Sequence, residues 1–132
     1  MISVHYSYRE GDNKEPSHFS SENTTPDQVT TIIAEYPWDK EGKLPSEEHA
    51  GGAVFIEFKN NHNQTALFQL VPIGEDRCIF FVDVTLKKGF LGFIGKQAVS
   101  RTFDDYSVAE FSKNIKAYCQ SSIEEIYRKF YG

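Results

Sequence analysis

Apolar and polar residues alternate strictly over positions 2–8, with Ile2, Val4, Tyr6 and Tyr8 on one side and Ser3, His5 and Ser7 on the other. This period of two predicts a strand with one buried face. Residues 9–24 are polar and carry Gly11 and Pro16, so they read as a loop. Thr25-Pro26-Asp27-Gln28 then marks a helix start, with Thr25 as cap, Pro26 in the first turn and Gln28 completing a capping box. Val29, Ile32, Ile33 and Tyr36 share one face of that helix, and Pro37 ends it. Residues 37–52, PWDKEGKLPSEEHAGG, read as a second loop, longer than an ordinary connection.

Three strands are expected next, at 53–59 (AVFIEFK), 66–73 (ALFQLVPI) and 78–86 (CIFFVDVTL), joined by NNHNQT and GEDR, which suit hairpin turns. Val54, Ile56 and Phe58 share a parity, as do Cys78, Phe80, Val82, Val84 and Leu86. The opposite parity holds Phe55, Glu57, Ile79, Phe81 and Asp83, so one sheet face is fully apolar and the other half apolar. The first must meet the core. The second is either covered by a helix or a partner surface anchored by Phe55 and Phe81. Residues 97–103, QAVSRTF, suggest a last strand. From Ser107, where Ser107-Val108-Ala109-Glu110 reads as a capping box, Val108, Phe111, Ile115, Tyr118, Ile123, Ile126 and Phe130 recur at helical spacing. A helix of about 24 residues, ~36 Å long, is expected to lie across the apolar face. The pattern predicts a single α+β domain over residues 1–132: an antiparallel sheet of about five strands packed against a long C-terminal helix, with a shorter helix after the first strand.

Residues 86–97, LKKGFLGFIGKQ, interrupt this order with Gly89, Gly92 and Gly95 among four large apolar side chains. Glycine at every third position weakens both helix and strand. The segment is not a phosphate loop. A Walker loop has four residues between its first glycine and Gly-Lys, then Ser or Thr; here five separate Gly89 from Gly95 and Gln97 follows Lys96. Its Lys flanks and Phe tips would also suit a membrane-touching loop, but aromatics tucked beneath the terminal helix are the expectation.

Composition narrows the class further. Eleven Phe and seven Tyr supply large buried areas from few elements. No apolar run approaches a membrane span, and the N-terminus has neither the basic start nor the apolar centre of a signal peptide, so a cytoplasmic protein is expected. Cys78 and Cys119 sit in apolar company and read as free buried thiols. The net charge of −5 is concentrated: residues 1–50 carry ten acids against four bases, residues 51–132 nine against ten. An acidic face disfavours nucleic acid and suits a basic protein partner.

Chemistry is hard to find in the pattern. His5, His18, His49 and His62 fall in loops, turns or on the polar side of the first strand, without metal-ligand spacing. There is no nucleophile elbow, and neither cysteine belongs to a C-x-x-C. Asp83, flanked by strand apolars, is the one acid to watch; pairing with Lys59 or Arg101 is expected, and an enzyme built on Asp83 and a histidine stays open. No metal or other cofactor is expected.

In layout (strand, helix, antiparallel meander, terminal helix), acidity and lack of a catalytic constellation, the chain resembles the immunity proteins of bacterial polymorphic-toxin and contact-dependent inhibition systems. The resemblance rests on no diagnostic motif and assigns no residue. It implies a non-catalytic interaction protein that neutralises a basic toxin domain, such as a nuclease. The contact surface would then be the acidic loops at 9–24 and 37–49, with Tyr36 and Trp38 as aromatic anchors and Asp39, Glu41, Glu47 and Glu48 as the charged groups. For Trp38, a lid over the sheet edge is the competing role. The alternative function is a module holding an apolar small molecule between helix and sheet.

Overall fold

The computed structural model describes residues 1–13, 15–43, 52–87 and 95–131. Within them the chain runs β1 (Ile2–Tyr8), β2 (Ser17–Ser21), α1 (Pro26–Glu35), α2 (Trp38–Lys43), β3 (Ala53–Lys59), β4 (Thr65–Gly74), β5 (Arg77–Lys87), β6 (Gln97–Ser107), α3 (Val108–Gln120) and α4 (Ile123–Tyr131). The fold is α+β: one six-stranded antiparallel sheet in the order β2-β1-β3-β4-β5-β6, with four helices.

Three elements depart from the sequence reading. The sixth strand, β2, lies in the stretch 9–24 read as loop. Its sequence, SHFSS, holds one apolar residue, so periodicity is silent, and it exists because β1 offers an edge to pair with. The stretch 37–52 read as loop begins with the short helix α2. The long terminal helix is two helices. Ser121 and Ser122 break it: Ser121 caps α3 in an extended conformation, at φ −89° and ψ 152°. Its hydroxyl turns back to the Ala117 carbonyl at 2.7 Å. Ser122 then opens α4 with a capping box, Glu125 N–H to Ser122 Oγ at 3.1 Å and Ser122 N–H to Glu125 Oε1 at 2.9 Å. The box expected at Ser107 forms in a different way. Ser107 Oγ does accept from Glu110 N–H. A second cap comes from the β4–β5 turn, where Asp76 accepts from Ser107 Oγ and Ala109 N–H at 2.9 and 2.8 Å. The Thr25/Gln28 box of α1 forms as the sequence indicates.

The apolar sheet face carries Val4, Val54, Ile56, Ala66, Phe68, Leu70, Phe80, Val82 and Val84, all at most 1% exposed. Against it pack Val29 and Ile33 of α1, Phe111, Ile115 and Tyr118 of α3, and Ile123, Ile126 and Phe130 of α4. Phe68 is the hub, with the rings of Phe58, Phe80, Phe111, Tyr118 and Phe130 at 5.1–6.2 Å and mostly edge-on, the arrangement the ring quadrupole favours. Helices α1 and α3 are linked by Lys116 and Asp27 at 2.7 Å.

The register places a different set on the other face: His5, Phe55, Gln69, Phe81 and Thr102 form one row across five strands, and Ser3, Glu57, Leu67, Asp83 and Ser100 the next. Phe55, Leu67, Val71, Ile79 and Phe81 are half-buried there. Among the described residues no helix is long and apolar enough to cross a membrane. Most of the glycine segment, residues 88–94, lies outside the described residues, as do Glu47, Glu48 and His49.

Candidate functional site

The junction between α1 and α2 begins with Pro37, which holds the preceding Tyr36 extended at φ −63° and ψ 135°. The chain reverses there and drives both aromatics inward. Tyr36 Oη donates to the Ser7 carbonyl at 2.7 Å, and Trp38 Nε1 donates to the Ile33 carbonyl at 2.8 Å. Their rings lie 4.5 Å apart, and Tyr8 meets Tyr36 edge-on at 5.8 Å. Burial, reinforced by the Glu41 carboxylate and opposed by the Arg9 guanidinium, raises the Tyr36 hydroxyl far above the ordinary phenol range.

Glu41 is also interior, at 4% exposure. Its carboxylate accepts the backbone N–H of Arg9 at 3.2 Å and of Gly52 at 3.0 Å, joining the end of β1 to the start of β3. Lys40 Nζ reaches the carbonyls of Arg9 and Gly11 at 2.7 and 2.9 Å. Of the six contact residues expected from the sequence, Tyr36, Trp38 and Glu41 are therefore internal ties of the fold, because their polar atoms satisfy backbone groups that burial would otherwise leave unpaired. Asp39 stays at the surface beside Lys43, at 3.1 Å, in an exposed i,i+4 pair of small energetic weight. Glu47 and Glu48 lie outside the described residues.

Folding adds what the sequence reading missed. The turn between β4 and β5 brings Glu75 and Asp76 opposite Asp39, and Tyr36, Pro37, Trp38, Lys40 and Val108 complete the lining of the open groove between them, of about 490 Å³; the Lys40 ammonium itself is bound to the carbonyls of Arg9 and Gly11. Asp76 sits at φ +54°, a conformation Asp tolerates better than most residues. Its carboxylate is held in place by the α3 cap. Asp105 stands near Arg77, at 3.6 Å. Burial first, then the charges of Asp76 and Asp105, push the Cys78 thiol up to about 12. In the sequence Glu75 and Asp76 read only as turn-formers within GEDR, and nothing in a linear pattern signals that they face Asp39.

The other chemical candidates resolve individually. Asp83 accepts from Ser100 Oγ, whereas the pairing expected with Lys59 or Arg101 does not form: Lys59 sits against Glu57 at 3.4 Å and Arg101 donates to the Tyr131 carbonyl at 2.9 Å. His5 is three strands away from Asp83, and His5, His18 and His62 are exposed. Cys119 is pushed up to about 11 by burial, so both thiols stay protonated at neutral pH. Among the described residues no group of three or more His, Cys, Asp or Glu could hold a metal ion. Comparison of the chain with protein-family models, curated proteins and solved structures finds no match.

Proposed function

We propose that the protein is a non-catalytic interaction protein that binds a basic partner protein at the groove between α2 and the β4–β5 turn, as an immunity protein does when it neutralises a basic toxin domain. The observation that carries this reading is the convergence of three carboxylates, Asp39, Glu75 and Asp76, against the single ammonium of Lys40, around a floor of aromatic edges. Carboxylates at the rim steer a cationic surface toward the groove, and the ring edges along its floor offer apolar contact to the stem of a Lys or Arg side chain. The overall charge of −5 adds long-range attraction of the same sign. The alternative, an apolar ligand held between helix and sheet, would have to displace the ring cluster around Phe68, which fills that space.

The test is charge reversal at exposed positions. The partner is recovered by affinity capture from native extract at low salt, and its association with wild-type and Asp39→Lys/Glu75→Lys protein is timed across a salt series. The expected outcome is slower association of the variant and a flatter salt dependence. Identical rates and salt slopes would remove the groove from the interface.

A further inference from the structure

The β1–β2 ribbon carries two copies of one tripeptide pattern, His5-Tyr6-Ser7 and His18-Phe19-Ser20, running antiparallel. The register sets His5 opposite Ser20 and Ser7 opposite His18, with Tyr6 opposite Phe19. The outer face is thus a square with imidazoles on one diagonal and hydroxyls on the other. On the reverse face, Phe19 stacks on Tyr6 and on Tyr8, each at 5.1 Å between centroids. Slipping β2 by one residue along β1 would turn His18 to the aromatic side and Phe19 away from it, while β3 keeps His5 in place, so this stacking holds the square in register.

We infer that this square is a two-imidazole site for a late first-row divalent metal such as zinc. Diagonal neighbours on an antiparallel pair have Cα atoms roughly 7–8 Å apart and Cβ atoms closer. Two histidine side chains bridge that span to a common ion at about 2.1 Å from each nitrogen. His5 and His18 are exposed, and with Ser7, Ser20 and Phe55 they line one shallow hollow of about 310 Å³. Ser7 Oγ is turned toward the Ala53 N–H at 3.3 Å, which leaves the imidazoles as the principal donors. None of the residues lining the hollow is acidic. Neutral imidazoles without carboxylates select zinc, copper or nickel over calcium and magnesium, which require oxygen ligands. Two protein ligands leave further positions to water, so the ion exchanges readily and presents open sites to a donor from outside. Bound metal would also pin the edge strand β2 to β1.

The test uses the full chain and Zn²⁺ alone, with affinity read by competition against a chromogenic indicator and the four histidines followed by proton NMR. One equivalent of zinc is expected to shift the ring signals of His5 and His18 together and leave His62 unmoved. His5→Asn and His18→Asn should each weaken binding by at least roughly tenfold, since loss of an outer-shell partner alone costs that much, while His62→Asn changes nothing. Equal affinity of all three variants, or zinc sensed by one histidine or by all four alike, would overturn the site. The NMR titration of the wild-type chain decides the matter even where a variant folds poorly.

Discussion

Gly52 stands where three polar groups converge. A methyl group on its Cα would run into the Ser7 carbonyl, the Tyr36 hydroxyl and Glu41 Oε1 together. All three are held by hydrogen bonds, the Tyr36 hydroxyl to the Ser7 carbonyl and Glu41 Oε1 to the Gly52 N–H, so none is free to swing aside. Gly52→Ala should therefore cost about 1–3 kcal/mol, the range for overpacked interiors, seen as a lower urea midpoint at unchanged m-value. An unchanged midpoint would mean that the polar knot is looser than its distances imply. Cys78 makes a second prediction at this scale. Its thiol is raised from 9.0 to about 12 in the fold. Above pH 9 the unfolded chain releases this proton while the native chain keeps it. The unfolded state then binds fewer protons, and stability falls as pH climbs toward 12. Urea midpoints measured across that window should decline less steeply for Cys78→Ala than for wild type, and parallel slopes would discard the assignment.

Elements in this fold are set by caps as much as by periodicity. The apolar spacing from Val108 to Phe130 is compatible with one straight helix, yet Ser121 and Ser122 supply a stop and a start that compete with continuation. The break redirects α4 so that Ile126 and Phe130 reach the sheet, where Phe130 meets Phe68 and Phe80. Ser122→Ala removes the acceptor for the Glu125 N–H and should destabilise by about 1 kcal/mol. Hydrogen exchange localised to 122–131 would show it, and uniform exchange across the chain would place the loss elsewhere. The cap has an acidic weakness too. The Glu125 carboxyl lies below its ordinary range, chiefly through the hydrogen bond from the Ser122 backbone. Its contribution is present above the ordinary carboxylate pKa and fades as pH drops.

At the scale of the molecule, the sheet is covered on one side by α1, α3 and α4, while its other face keeps Phe55, Leu67, Val71, Ile79 and Phe81 half-buried. Neighbouring phenylalanines thus have unequal weights. Phe80, 1% exposed and surrounded by Phe68, Phe103, Tyr106, Phe111 and Phe130, should cost ~3–5 kcal/mol on truncation to Ala. Phe81→Thr, which keeps a strand-forming residue beside Gln69 and Thr102, should cost under ~1 kcal/mol. Comparable losses in denaturant titrations would show that the second face is covered as well. The two sheet edges differ in the same sense. β6 carries the adjacent acids Asp104 and Asp105 where its register with β5 shifts, a charged irregularity that blunts edge-to-edge association.

Strands β1, β3, β4 and β5, the start of β6, the capping of α1 and the apolar sheet face are all legible in the order of residues. Each is written in side-chain alternation or in the four residues of a cap, which act over a single turn or strand. That SHFSS is a strand follows only from the assembled sheet, because a polar segment pairs where a neighbour offers an open backbone edge. That Tyr36, Trp38 and Glu41 face inward likewise follows only from the folded chain, since a proline turn and the distant N–H groups of Arg9 and Gly52 set their direction. The approach of Glu75 and Asp76 to Asp39, and the pairing of His5 with His18, belong to the same category. Their chemistry depends on distances between strands and helices remote in the chain, and those distances are created when the core closes around Phe68.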